Sequence, residues 1–517
     1  MDKMKEELRL VIAFALAVMI IMVFGRTQGG RQKPQTVMPE KSPVAVRGEE
    51  QPNAGKPFPP APEPEAVGGE EKTYEDSRYI MKIDTAGGLI KNIGLKEYTR
   101  KDETYLAIFE NSDLLLSYTA DDTHAPDLYT VVQDTPNFIE LKASARSTVI
   151  EKAIEVPEDS YTFTSNITIR NTGGETVNLK NYVVDAGKID LATTRTSRAT
   201  RTEFAPPEIV FNTDGKIVRY NMRVRDVSYE NTAWIAVKQK YGLLFIRPET
   251  PSKSFVSSEN GHLRIGFMYD AIAINPGATE KLGYSFYAGP SDYFVASKEI
   301  PEKSIFGTGF FAAMGRFLFT ALSFIHRVIP NWGWAIILLT LIVKIVFFPL
   351  TQKSLKSMKA MQKLRPYLQD IQKKYKGNPQ QMQKELMNLY KEYNINPFGG
   401  CLPMLIQFPI FIGFFIALRN SVFLRGASFG LWITDLSRPD TITRIGDFNV
   451  NLLPIMMAVT SFWQQKLTPQ EPSQKALVYM MPVMFLFLFY NFSSGLLLYW
   501  ITMNAAGLVE QYFVHKK

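Results

Sequence analysis

Apolar residues follow two different rhythms along this 517-residue chain, and the change of rhythm divides it. Between Thr73 and about Glu299 the apolar stretches are short and bounded by turn formers. Examples are Tyr79-Ile-Met-Lys-Ile83 before Gly87-Gly88, Tyr161-Thr-Phe-Thr-Ser-Asn-Ile-Thr-Ile169, and Trp234-Ile-Ala-Val237. Period-two alternation buries one face of a strand, so residues 73–300 are expected to form a large antiparallel β-sandwich. From Ser304 the period lengthens to three or four: Phe306, Phe310, Met314, Phe317, Ala321, Ile325 and Val328 recur, with Arg316, Ser323 and Arg327 opposite. This pattern predicts an amphipathic helix over residues 301–330, lying in a membrane interface or packed on a neighbouring domain.

Five long apolar runs follow, at about Trp332–Leu350, Pro403–Leu424, Leu452–Gln464, Ala476–Tyr490 and Gly495–Val514, the fourth short and interrupted by Pro482. About 20 apolar residues cross a bilayer core, so each run is a candidate span. Leu8–Phe24 is another, preceded by Lys3 and Lys5 and followed by no Ala-x-Ala cleavage site, which predicts a retained anchor over residues 1–24. Residues 25–72, rich in Pro, Glu, Gly and Gln, predict a flexible linker. The expected fold is therefore a multi-domain membrane protein. It has an α-helical bundle of six transmembrane helices, five of them in a core over residues 331–517, and a large periplasmic β-sandwich.

Charge sets the expected orientation. Between Thr351 and Cys401 stand Lys353, Lys356, Lys359, Lys363, Arg365, Lys373, Lys374, Lys376, Lys384 and Lys391, against Asp370, Glu385 and Glu392. Basic flanks of spans stay in the cytoplasm, so six crossings leave both termini inside. Within 351–397, the stripe Leu355, Met358, Met361, Leu364, Leu368, Ile371 and Tyr375 and the stripe Met382, Leu386, Leu389 and Tyr393 predict a cytoplasmic helical hairpin. It turns at Lys376-Gly-Asn-Pro379, with Pro366 kinking its first helix. Lys356, Lys359, Lys363, Arg365, Lys373 and Lys374 give it a face for anionic lipid or ribosomal RNA.

A single cysteine, Cys401, and four scattered histidines exclude a disulfide framework and a cysteine-based zinc site. No P-loop, dinucleotide fingerprint or nucleophile elbow occurs, so neither a cofactor nor an enzymatic activity is expected. The acidic residues of the first half, Asp121 and Asp122 among them, are ordinary for surface loops. Polar residues at membrane depth carry more weight. Lys344 lies inside the run Trp332–Leu350, where a charge costs about 2.5 to 3.5 kcal/mol on insertion scales. Thr340 is one turn before it, Gln407 stands between Pro403 and Pro409, and Asn504 sits mid-way along the last run. Singly, each has a plain role such as snorkelling, back-bonding or helix linkage. Together, if they converge, Lys344, Thr340, Gln407 and Asn504 form a hydrated pocket within the bilayer.

The runs Asn331-Trp-Gly-Trp334, Phe348-Pro-Leu-Thr351, Asn396-Pro-Phe-Gly-Gly-Cys-Leu-Pro-Met-Leu-Ile-Gln-Phe-Pro409, Leu431-Trp-Ile-Thr-Asp-Leu436, Met480-Met-Pro482 and Ser494-Gly-Leu-Leu-Leu-Tyr-Trp500 resemble the YidC/Oxa/Alb insertases, specifically over residues 304–517. The resemblance implies a membrane insertase and chaperone with a hydrophilic groove open to cytoplasm and lipid, acting alone or with the Sec translocon. The implied partners are nascent membrane proteins, the ribosome and membrane lipids, with no DNA, and the implied location is the bacterial inner membrane. Lys344 falls where the long Gram-negative members usually carry Arg. It keeps the charge but not the planar fork. Trp500 matches a usual Tyr, and with Tyr499 and Met503 it is expected to contact substrate helices. A solute or ion transporter using Lys344 is the alternative, although no repeat is seen among the late spans. A carbohydrate enzyme in the sandwich is a third reading.

Overall fold

The computed structural model describes residues 69–516 except 101–102, 109–112, 120–127, 157, 191–206, 222–225, 260–261, 308, 394–401, 420, 447 and 468–474. The expected anchor, residues 25–68 of the expected linker, Asp121, Asp122, His124 and Cys401 lie outside the described residues, whereas Glu71 and Lys72 at the end of that linker belong to a strand. Two compact units meet in sequence at Gly307 and Thr308, one made of strands and the other of helices.

In the strand unit every ladder is antiparallel. One series of neighbours runs β6(Thr130–Thr135), β7(Phe138–Ala145), β8(Thr148–Glu155), β9(Thr162–Asn171), β17(Thr279–Pro290), β14(Gly242–Pro248), β13(Val227–Lys238). The other runs from β13 through β15(Ser252–Glu259), β16(His262–Ile274), β10(Val177–Asp190), β5(Asp113–Thr119), β3(Leu89–Leu95) and β2(Tyr79–Asp84) to β1(Glu71–Glu75). β13 belongs to both: Val227–Thr232 pair with β15 and Ile235–Lys238 with β14. Long strands that change sheets in this way close a two-layered sandwich at its corner.

The core is filled as the alternation requires. Tyr79, Met81 and Ile83 point inward on β2, as do Ile150 and Ile154 on β8, and Phe163 stacks on Phe286 at 5.1 Å. Gly87 and Gly88, both at positive φ, make the turn between β2 and β3 that the sequence indicates. Charged side chains break the apolar interior. Arg264 on β16 grips Asp185 through two hydrogen bonds of 2.5 and 2.8 Å, beside the irregularity of β10 between Asp185 and Gly187. Lys152 takes an inward position of β8 and is 1% exposed. Its Nζ donates to Gly87 O at 2.8 Å and lies 4.6 Å from the centre of the Tyr129 ring.

The helical unit comprises α1(Phe310–Val328), α2(Trp332–Lys363), α3(Arg365–Lys374), α4(Pro379–Glu392), α5(Leu402–Arg419), α6(Leu453–Leu467), α7(Lys475–Phe489) and α8(Ser494–Lys516), with a small hairpin of β18(Thr441–Ile445) and β19(Phe448–Asn451) before α6. The buried face of α1 is Gly315, Leu318, Phe319 and Leu322, and Phe310, Phe317 and Val328 of the apolar stripe are exposed, the disposition of a helix whose stripe faces lipid. Gly315 and Gly413 let α1 and α5 touch. A Cβ on Gly413 would lie 2.6 Å from Met314 Cγ. Two other elements differ from expectation. The long α2 continues past Pro349 to Lys363, so Leu355, Met358 and Met361, with Lys356, Lys359 and Lys363, belong to it and not to the hairpin. Pro366 does not kink a helix but opens a new one, occupying the first turn of α3 after Leu364. What remains of the hairpin is α3 against α4, sealed by Leu364, Leu368 and Leu389, with Asn378 capping α4 through Gln381 N at 3.1 Å. Lys373 and Lys374 are exposed on α3.

Candidate functional site

The helical unit is organised by the loop between α5 and α6. Asn331 caps α2 by accepting from Trp334 N at 3.1 Å and donates to Ser428 O and Phe429 O of that loop. Ser494 at the start of α8 donates from its backbone N and its hydroxyl to Arg438 O, and Gly495 N donates to Leu436 O at 2.9 Å. Asp440 Oδ2 accepts from Trp432 Nε1, Leu452 N and Leu453 N, which fixes the entry to α6. Three of the sequence runs quoted above thus meet at one end of the unit and hold the starts of α2, α6 and α8 in place.

Helices α2, α5 and α8 meet at a pocket. Val343, Lys344, Phe347, Leu350 and Thr351 of α2, Gln407 and Ile410 of α5, and Met503 of α8 line a small cavity that is partly open to the exterior. Gln407 Nε2 donates to Tyr499 OH at 2.7 Å, and the Tyr499 ring stacks on Phe414 at 4.4 Å. Lys344 Nζ lies 3.7 Å from Glu510 Oε2 on α8, with the lysine side chain 17% and the glutamate 6% exposed. A Cβ on Gly507 would lie 2.5 Å from Gln464 Nε2, so this glycine accommodates the Gln464 side chain beside the pair.

Lys344, Gln407 and Met503 share the pocket, but Thr340 and Asn504 do not line it. Thr340 is fully buried and donates to Ile336 O of its own helix at 2.6 Å. Asn504 faces α6, where its Nδ2 donates to Ser461 Oγ at 2.8 Å and Thr460 Oγ1 at 3.2 Å. Both are one turn or less from a pocket residue, but helical rotation directs them at neighbouring helices. Tyr499 is buried behind the pocket, and Trp500 packs on Phe411, Phe485 and Phe489 at 4.8 to 5.4 Å. Glu510, the counter-charge of Lys344, is marked in the sequence only as an acidic residue near the end of the last apolar run. No group of metal-binding side chains occurs among the described residues.

The outer surface of the unit completes its character. Ile345, Val346 and Phe348 of α2, Val459 and Trp463 of α6, Val483 and Phe487 of α7, and Val509 of α8 are all exposed. An apolar exterior around a charged interior is the inverse of a water-soluble bundle. Among the described residues, one helix, Trp332–Met361, is long and apolar enough to cross a bilayer, and Gln407–Arg419 and Tyr479–Phe489 are shorter apolar helices. A β-rich domain followed by such a bundle defines a class of membrane-embedded protein with a large extramembrane domain.

Known proteins narrow that class. The family described as 60Kd inner membrane protein matches residues 324–517, and the YidC periplasmic domain family matches residues 73–320. The membrane protein insertase YidC of Pelobacter propionicus is 30% identical over 99% of both chains. That of Endomicrobium trichonymphae is 42% identical over 55% of this chain and 56% of the relative. A crystal structure of an active YidC insertase with its first transmembrane domain resolved covers 86% of this chain and 94% of its own at 20% identity, with a TM-score of 0.39. The chain belongs to the YidC family of membrane protein insertases, inner-membrane proteins that carry a periplasmic domain.

Proposed function

We propose that this protein inserts and folds nascent inner-membrane proteins through the pocket between α2, α5 and α8, without a covalent step or cofactor. The observation that supports this most is Lys344 on the wall of a partly open cavity in a bundle whose exterior is apolar. Water and polar side chains gathered there would lower the cost of moving the hydrophilic flank of an incoming helix, while its apolar face passes into lipid over surfaces such as Ile345 and Val346.

In this reading α2, α5, α6, α7 and α8 are the five core spans and residues 1–24 supply a sixth. Both termini and the α3/α4 hairpin are cytoplasmic and the β-sandwich periplasmic, in keeping with the lysines of the 351–401 stretch. The exposed Lys373 and Lys374 offer a contact for the ribosome or the emerging chain, and the Sec translocon is a partner for larger substrates. The protein would act as a chaperone while the inserted helix remains against the pocket.

A photo-reactive residue at position 503, in the pocket lining, should crosslink to a stalled single-span substrate well above the yield at position 459, which is exposed on the apolar exterior. Equal yields at the two positions would remove the pocket from the insertion path.

A further inference from the structure

Lys344 and Glu510 place one positive and one negative charge inside the helical unit, 3.7 Å apart and largely shielded from the exterior. Glu510 Oε1 is buried with no hydrogen-bond partner among the described residues. The separation is that of an ion pair without a short hydrogen bond, so the contact can be exchanged for another. Taking two such charges from water is costly, and stripping either of its partner leaves an uncompensated charge in a low-dielectric site.

We propose that Glu510 is the charge-selectivity residue of the groove: it makes the site around Lys344 electroneutral, so that polar segments of either sign are admitted. This rests on the insertase reading above. A passing carboxylate is drawn to Lys344 but repelled by Glu510, and a passing ammonium meets the reverse, so neither sign gains a large advantage. A groove with only the lysine would favour acidic segments; one with only the glutamate would favour basic segments. The substrate class is thus broadened by a residue contributed from the last helix.

The experiment uses three single-span substrates that differ only by Asp, Asn or Lys at one site in the translocated tail. They are inserted into vesicles containing the full-length protein or its Glu510→Gln, Lys344→Gln or Lys344→Glu/Glu510→Lys variants. The readout is the ratio of Asp-tail to Lys-tail insertion within each variant, in which a general loss of activity cancels. The wild type should give a ratio near one. Glu510→Gln should raise it roughly tenfold and Lys344→Gln lower it by a similar factor, and the exchanged pair should restore it, a tenfold change corresponding to about 1.4 kcal/mol. An unchanged ratio in Glu510→Gln overturns the proposal, as does insertion abolished for all three tails in the single variants, which would make the pair structural. If the wild type itself fails to insert the Asn tail, the insertase reading fails and not the selectivity assigned to Glu510.

Discussion

Lys152 shows how one buried amine couples a β-sandwich to pH. Complete burial pushes it down from the ordinary 10.5 to about 7, since the cation is held away from water with only Gly87 O and the Tyr129 ring beside it. The unfolded chain therefore binds the proton more tightly, and folding stability rises with pH from about 7 to 10.5 and loses nothing more below 7. At ~1.36 kcal/mol per unit, the full span is worth at most roughly 5 kcal/mol. In calorimetry of the full chain, the stability of Lys152→Met relative to the wild type should fall by several kcal/mol between pH 7 and pH 10, whereas a constant difference would place the amine in contact with water. Two polar residues of the helical unit separate by the same logic of partners. Thr340→Val removes only a back-bond within α2 and should leave single-span insertion in vesicles unaltered. Asn504→Leu breaks the link from α8 to Ser461 and should lower the unfolding midpoint in detergent, with a loss of about 1 to 2 kcal/mol. Their types and depth were visible in the chain, but not the direction in which each side chain points.

At the scale of the element, the sequence predicted strands and helices well where periodicity was strong and failed where small residues or prolines set the geometry. The alternation of Tyr79–Ile83 places Met81 and Ile83 inside on β2, and on β8 even Lys152 obeys the same rhythm. On α1 the apolar stripe through Phe310 and Phe317 faces outward, the disposition of an interfacial helix, but the periodicity carried no signal for the face that packs, where Gly315 meets Gly413. Gly413→Ile should accordingly force α1 from α5 and cost about 1 to 3 kcal/mol, seen as a lower melting temperature in detergent micelles. An unmoved melting temperature would mean that Met314 and Leu318 yield freely. Pro349 and Pro366 make the complementary point. A proline within a long apolar helix is carried through, whereas Pro366 falls where a new helix can start on it.

For the whole molecule, two cores with separate packing predict two unfolding events. Scanning calorimetry of the full chain should resolve two transitions, with Lys152→Met displacing only the one from the β-sandwich and Gly413→Ile only the one from the helices. A single merged transition displaced by both variants would show the units to be energetically coupled. The sequence by itself determined the division into a strand half and a helical half, the apolar runs and the anomalous charge at Lys344, because periodicity and hydropathy are local properties of the chain. It also carried the motifs of the family. Only the tertiary structure decided which polar residues share the pocket: Gln407 and Met503 join Lys344, while Thr340 and Asn504 turn to other helices. Only it decided that Lys344 is answered by Glu510, 166 positions away, since a counter-charge is chosen by the rotation and close approach of two helices, which no local property of the chain marks.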